Sequence, residues 1–427
     1  GTTNRSFLLA LIDRPELRSG DVDNRWLDRL TSAGEHVPPP QPVALLAAAV
    51  EAYAADHAGV EAAFHAGARR GRPEIPDSVG AKVQLRYAGV TYDLAVYRTS
   101  PGSFRVRWGS VAADLFVDFV NEYERRIRCG GRHHRVVAVT QGAMFRIVVD
   151  ETTHRVDRDD GGVVRAGWPA FVVSVLVQPG DQVAEGDAVA VLESMKMEST
   201  VTAPYPGEVS TVEVVSNAQV GAGAPILRIR AAEATVASAP GDGALDLSGL
   251  EARPAPGTPP CDRVFGSLRN YLLGYDLDPA TLKRLLVEQR RIGEISPPDD
   301  AGLLRCEDGL LDLFAEVGAL YRPRTETDPE AELTATSTQE YLLAFMQWLD
   351  PDRAGLPEEY RARLVSALAR YGVDGLERTP QLDAAVVWMF RSFSRVGELA
   401  PVVLAILGRR LRARAVLAPR AGADMRA

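Results

Sequence analysis

The run Glu193-Ser194-Met195-Lys196-Met197-Glu198 sets a single primary amine between two thioethers. Lysine carries a flexible stem ending in an amine that can be acylated, so it can anchor a group that has to visit more than one reaction site. Such an anchor belongs at the exposed tip of a rigid unit. A lone lysine is ordinarily a solvated surface residue, but adaptable methionine side chains usually sit in cores or contact surfaces. Two of them at a tip therefore point to a surface that another protein reads.

The elements that would position the run are strands. Ala188 to Leu192 and Ser199 to Ala203 alternate apolar with small or polar residues, as half-buried strands do. The run is expected on the turn between them, with Lys196 facing solvent. Sliding the chain on itself gives an internal repeat offset by 37 residues. It matches Ala166 with Ala203, Pro169 with Pro206, Val175 and Val177 with Val212 and Val214, Val183 with Val220, Gly186 with Gly223, and Val189 with Ile226. Gly180-Asp181 is replaced in the second half by Asn217-Ala218, an exchange that suits a left-handed turn because Asn tolerates that conformation. Two similar halves are expected to form one small closed β unit, with Lys196 between them at one end.

On these residues, 162–231 resembles the biotin carboxyl carrier domain, a flattened β-barrel of two related sheets. That family's motif is Ala-Met-Lys-Met or Ser-Met-Lys-Met, and this chain has the second. The resemblance implies covalent biotin on Lys196, attached by a separate biotin protein ligase, with Met195 and Met197 helping to form the recognised hairpin. One departure is Gly167-Trp168-Pro169-Ala170, where the family usually has Pro-Met-Pro-Gly; it reads as a local turn change that leaves the tip intact. The lipoyl domain shares the architecture, but its lysine is usually flanked by Asp and Ala, so the methionines favour biotin.

Composition bounds the rest. A chain of 427 residues has room for about three domains, and 46% hydrophobic with 25% charged residues is ordinary globular material. A formal net charge of −9 disfavours nucleic acid as a partner. No apolar run is read as a membrane span, and Gly1-Thr2-Thr3-Asn4 has no signal-peptide layout. Cys129, Cys261 and Cys306 offer neither a disulfide framework nor metal-ligand spacing, so a reducing cytoplasm is the expected setting.

Residues 1–35 resemble the last stretch of a biotin carboxylase domain. The likeness is carried by Thr3 to Leu9, Arg14-Pro15-Glu16-Leu17, Gly20 and Asp23-Asn24-Arg25-Trp26-Leu27. The missing initiator Met suits a piece of a longer polypeptide. After His36-Val37-Pro38-Pro39-Pro40, a helix is predicted with Leu46, Val50, Tyr53, Val60 and Phe64 on one face. His57 shares that stripe and reads as structural. From about residue 80 the period becomes two, through Val83-Leu85-Tyr87, Tyr92-Leu94-Val96 and Phe104-Val106-Trp108. Turns are expected at Ala88-Gly89, Ser100-Pro101-Gly102 and Cys129-Gly130-Gly131, and further strands at 111–120, 132–140 and 143–150. This layout over 41–160 resembles the mediating domain of biotin-dependent acyl-CoA carboxylases, an antiparallel barrel around a long helix. His133-His134 could suggest a metal or phosphate site, but adjacent strand residues face opposite ways.

Residues 232–260, rich in Ala, Pro and Gly, read as a flexible linker spanning roughly 30 Å on average. Residues 261–427 read as an all-α scaffold. Helices are predicted around Val264-Leu268-Leu272, Leu282-Leu285-Leu286, Leu310 to Val317 and Tyr341 to Leu349. Two more are predicted in 384–407, broken near Gly397 and Pro401. Leu268 to Tyr275 resembles the opening of the central region of large single-chain acetyl-CoA carboxylases. Arg409, Arg410, Arg412, Arg414 and Arg420 read as a solvated helix end rather than a site for an anionic partner.

The expected architecture is therefore multidomain α+β: a helix with an antiparallel barrel, a small flattened barrel, then an all-α domain. The resemblance implies the carrier and scaffold portion of an acyl-CoA carboxylase of fatty acid biosynthesis. It would move a carboxyl group on biotin at Lys196 between a biotin carboxylase and a carboxyltransferase acting on acetyl-CoA or a related acyl-CoA. ATP and bicarbonate would be used by a carboxylase domain outside this chain, which should not turn over alone; no catalytic or metal residues are assigned within it. Partners are those two domains, the ligase and further copies of the chain in a homo-oligomer, with no membrane. Two alternatives are the biotin-bearing part of a pyruvate or urea carboxylase and an unbiotinylated assembly scaffold.

Overall fold

The structure, a computed structural model, describes residues 5–32, 38–76, 79–158, 162–166, 168–194, 197–221, 224–231, 236–237, 245–247, 250, 259–321 and 337–417. It divides into two compact units: Gly1–Ala54 with Ala81–Val96 and Phe104–Ala252, and Ala55–Gly80 with Tyr97–Ser103 and Arg253–Ala427.

The first unit opens with short helices α1 (Arg5–Ile12), α2 (Pro15–Ser19) and α3 (Trp26–Ser32). They expose Leu8, Ile12, Leu17 and Leu27, and bury only Leu30 among their described side chains. Next comes α4 (Pro42–Arg69), followed by eight strands: β1 (Ala81–Tyr87), β2 (Val90–Ser100), β3 (Ser103–Trp108), β4 (Val111–Phe119), β5 (Glu124–Cys129), β6 (Arg132–Gln141), β7 (Met144–Val149) and β8 (Thr152–Arg158). Each pairs with the next, and β1 returns to β8 through Leu85↔Arg158 and Tyr87↔Val156, closing an antiparallel barrel. The turn residues read from sequence have the required backbone: Ala88 and Gly89 have φ of 50° and 81°, Gly130 and Gly131 of 56° and 77°. Positive φ at both central residues is what a two-residue hairpin needs.

Val43 to Val50 are buried without a break, so this half of α4 has no solvent face and shares one core with Val83, Trp108, Ile127, Phe145 and Val156. The interior of an eight-stranded barrel is narrow. The small residues Ala44, Ala47, Ala48, Ala49 and Ala52 are what let a helix occupy it. By length and composition α4 could cross a membrane, which the sequence reading missed; here barrel side chains cover its first half.

Strands β5 and β8 were also missed. Their inward positions include Arg125 and His154, and each finds a partner: Arg125 pairs with Glu51 at 2.9 Å, and His154 Nδ1 lies 2.8 Å from the Tyr87 hydroxyl. The expected linker is held at several described points. Val236–Ala237 (β17 in chain order, after the strands described below) runs parallel to β2, and Leu245 N–H donates to the Tyr92 hydroxyl at 3.1 Å. Leu247 lies in the barrel core at 3% exposure.

The next strands are β9 (Val163–Arg165), β10 (Ala170–Val175), β11 (Gln182–Val183), β12 (Ala188–Ser194), β13 (Met197–Thr202), β14 (Gly207–Val212), β15 (Gln219–Val220) and β16 (Pro225–Ala231). These form two four-stranded sheets, β13-β12-β10-β15 and β11-β14-β16-β9. The 37-residue repeat is written in both packing and hydrogen bonds. Matched residues have matched exposure: Ala166 and Ala203 0% and 1%, Val183 and Val220 7% and 6%, Val189 and Ile226 both 0%. The backbone bond Ala166 N–H to Ala224 O has its mate in Ala203 to Asp187, and Leu176 to Val189 has its mate in Glu213 to Ile226. Likewise Gly180 to Val209 corresponds to Asn217 to Val172. Gly180 and Asn217 are both left-handed, with φ of 99° and 67°.

The second unit is helical: the later part of α4, then α5 (Pro260–Leu272), α6 (Pro279–Ile295), α7 (Ala301–Leu320), α8 (Thr338–Trp348), α9 (Glu358–Ala369) and α10 (Pro380–Arg412). The two helices expected in 384–407 are one, with Pro401 inside it. An interior proline costs about 3 kcal/mol; burial of Leu399, Val402, Val403 and Ile406 around it offsets that. The expected solvated arginine end is partly an ion-pair cluster. Arg409 and Arg410 both hold Glu307, 1% exposed, at 2.6 and 2.9 Å, and Arg410 also reaches Asp308. Arg420 lies outside the described residues.

His57 is structural, as read. Its ring stacks on Trp388 with centroids 4.7 Å apart. Nε2 lies 3.3 Å from Glu61, yet this is no salt bridge at neutral pH. Burial, with Arg98 and Arg391 nearby, pushes the imidazole down to about 4. The unfolded chain takes up this proton first, near pH 6.5, so the stability contributed is complete above that value and is lost as pH falls towards 4. We expect His57→Phe to remove about 2 kcal/mol of the loss between pH 6.5 and 5, read from urea unfolding of the two proteins at both values.

Candidate functional site

The β12–β13 hairpin pairs Ala188↔Thr202 through Leu192↔Ser199, Glu193↔Glu198 and finally Ser194↔Met197. Two residues, Met195 and Lys196, separate the last pair; both lie outside the described residues. The register thus leaves a two-residue link where the sequence reading put the tip. Met197, the third residue assigned to the site, is 72% exposed. The strand pairing on either side fixes the root of that link.

The hairpin is rooted in the apolar core of the two sheets. Leu192 is fully buried, and Val172 opposite it is too. One step towards the tip, the pairings Gln219↔Phe171, Phe171↔Glu193 and Glu193↔Glu198 draw a row across the outer sheet face. Phe171 is 54% exposed and Trp168 45%. Directly opposed like charges disfavour strand pairing by a few tenths of a kcal/mol, so the Glu193–Glu198 pair works against the hairpin's own stability. Large exposed apolar groups and two carboxylates beside the tip form a surface suited to a partner with apolar and basic groups. Sequence reasoning did not single these out. Trp168 stood in the departure from the family turn, and Phe171 follows it in strand alternation.

Other candidates separate. His134 Nδ1 meets Asp150 at 2.6 Å, while His133 is exposed; the two do not converge on one site. Cys129 is buried in the barrel, and burial pushes its thiol up to about 11, leaving it unreactive. Cys261 and Cys306, scattered in sequence, are brought together with Asp262, their ligand atoms within 4.8 Å of one another, a proximity that their sequence spacing does not show.

Residues 159–229 match the family described as "Biotin-requiring enzyme". The human mitochondrial propionyl-CoA carboxylase alpha chain is 42% identical over 69 residues, 16% of this chain and 10% of its own. Acetyl-CoA carboxylase of Schizosaccharomyces pombe is 25% identical over 219 residues, 49% of this chain and 9% of its own. Pyruvate carboxylase of Bacillus subtilis is 35% identical over 78 residues, 18% of this chain and 7% of its own. The chain therefore spans a tenth or less of the length of each of these relatives. Among solved structures, a single-chain, multi-domain long-chain acyl-CoA carboxylase aligns over 42% of this chain and 14% of its own, at 18% identity and a TM-score of 0.16. The segment is a carrier domain for covalently bound biotin, of the kind found in biotin-dependent carboxylases.

Proposed function

We propose that this chain is the carrier and scaffold portion of a multidomain biotin-dependent acyl-CoA carboxylase, with biotin on Lys196. The observation that carries the reading is the hairpin register: a carrier-type fold closes Ser194 on Met197 and leaves Met195-Lys196 as the link between them. Bound biotin supplies a ring nitrogen that accepts and gives up a carboxyl group. The chain's own part is presentation: β12 and β13 hold the lysine's root, and Phe171, Trp168 and Met197 offer contact area to whatever receives it.

Acyl-CoA is favoured over pyruvate by the extent of likeness. The match to acetyl-CoA carboxylase runs over 219 residues and so beyond the carrier segment, while that to pyruvate carboxylase stops at 78. The helix-filled barrel fits a mediating domain, and the apolar side chains exposed on α1 to α3 fit packing against a biotin carboxylase domain. In this reading a carboxyltransferase and a biotin protein ligase are the other partners, the assembly is a cytoplasmic homo-oligomer, and acetyl-CoA or a related thioester is the acceptor. Tethered delivery acts at roughly millimolar local concentration.

Peptide mass spectrometry of the chain produced with active biotin ligase tests this directly. One biotinyl group is expected, on the peptide containing Lys196. An unmodified Lys196 beside a ligase that labels a control substrate would return the hairpin to a scaffold role.

A further inference from the structure

We propose that Cys261, Asp262 and Cys306 form a binding site for a thiophilic divalent cation of the zinc class. Their ligand atoms all lie within 4.8 Å of one another. Asp262 Oδ1 is 3.0 Å from Cys306 Sγ. A tetrahedral zinc, with bonds of about 2.3 Å to sulfur and about 2.0 Å to oxygen, holds its ligand atoms roughly 3.5 to 4 Å apart, so small side-chain rotations bring this set into range. Two sulfurs select a soft or borderline cation over magnesium or calcium. Cys306 is buried, Cys261 half-buried and Asp262 exposed, which leaves the fourth position to solvent.

The surroundings favour a cation. Cys261 and Asp262 stand in the first turn of α5, which starts from Pro259 without a side-chain cap. The partial positive charge at a helix start favours ionised ligands there. Cys306 reaches them from α7, and both cysteines border the same apolar core. On binding, two S–H protons pass to solvent as two metal–sulfur bonds form, and the first turn of α5 is pinned to α7.

The test uses the full chain, reduced with a phosphine and freed of metal, titrated with zinc alone against a chromophoric chelator. One zinc per chain is expected, with affinity at least tenfold lower in Cys261→Ser and in Cys306→Ser and unchanged in Cys129→Ser. Cobalt(II) added to the unsubstituted chain provides a readout that needs no variant. It should give a thiolate-to-metal charge-transfer band and tetrahedral visible absorption. Absent uptake, uptake unchanged in both variants, or cobalt spectra without the thiolate band would overturn the proposal. So would a Cys261–Cys306 disulfide in protein purified without reductant, if reduction then restored no metal binding.

Discussion

On the carrier role proposed above, Lys196→Arg is expected to reduce carboxyl transfer by the assembled enzyme to the level of an enzyme-free control, while leaving folding untouched. Arginine keeps the positive charge and the long stem, but its delocalised guanidinium offers no amine for ligase acylation. Lys196 lies between residues already closed in a register, Ser194↔Met197, whose strands rest on Leu192 and Val172. The carrier core is therefore not asked to change, and stability should stay within about 0.5 kcal/mol of the parent. The informative measurement pairs streptavidin capture with a carboxylation assay and a thermal melt. Loss of capture and turnover at an unchanged melting temperature is the expected pattern. Retained turnover would mean that the carboxyl group travels by another route, and the carrier assignment would fail.

The parts of the fold that could be read from sequence are those in which local pattern and tertiary role agree. The hairpins at Ala88-Gly89 and Gly130-Gly131 are marked by glycines, which take up positive φ without strain. The repeat was visible because its two halves solve one packing problem twice, as the matched burial of Val189 and Ile226 confirms. The misses share a physical cause. β5 and β8 place an arginine and a histidine on the inner face, where the distant partners Glu51 and Tyr87 help to satisfy them. Pro401 reads as a helix break because local sequence carries no record of the buried side chains that hold α10 together around it. Helix α9 did leave a trace, Tyr360, Leu364 and Leu368 at i+4 steps, diluted by the charges between them.

The site divides in the same way. The hairpin on either side of Met195-Lys196 was legible because its two strands alternate in sequence as they pair in the fold. Phe171 and the Glu193–Glu198 pair were not, since only the strand register sets them in one row. The cysteine cluster is the extreme case: Cys261 and Cys306 belong to different helices, and nothing in their spacing announces that α5 and α7 pack together.

Gly207→Ala is expected to destabilise the carrier portion by about 3 kcal/mol, and so to remove the platform on which the hairpin stands. Gly207 opens β14 and is paired on both sides, with Val183 of β11 and Ala231 of β16. A Cβ built there runs into the carbonyl oxygen of Arg230 and comes within 2.8 Å of Ile229 Cγ2. The carbonyl is backbone of the adjacent strand and cannot swing aside as a side chain would. Relief requires moving β16, which carries the buried Ile226, Leu227 and Ile229. For a unit of this size such a loss corresponds to a fall in melting temperature of more than about 10 °C. Gly221→Ala is the matched control: its Cβ meets nothing within 4 Å, and a change within about 0.5 kcal/mol is expected. Calorimetry of the full chain, with amide exchange read on β14 and β16, separates the two. Biotin incorporation measured above the lowered transition should fall with Gly207→Ala although the hairpin sequence is intact, because the ligase would then meet the lysine on an unfolded segment. Full protection of β16 in Gly207→Ala would show that the sheet yields where its packing says it cannot.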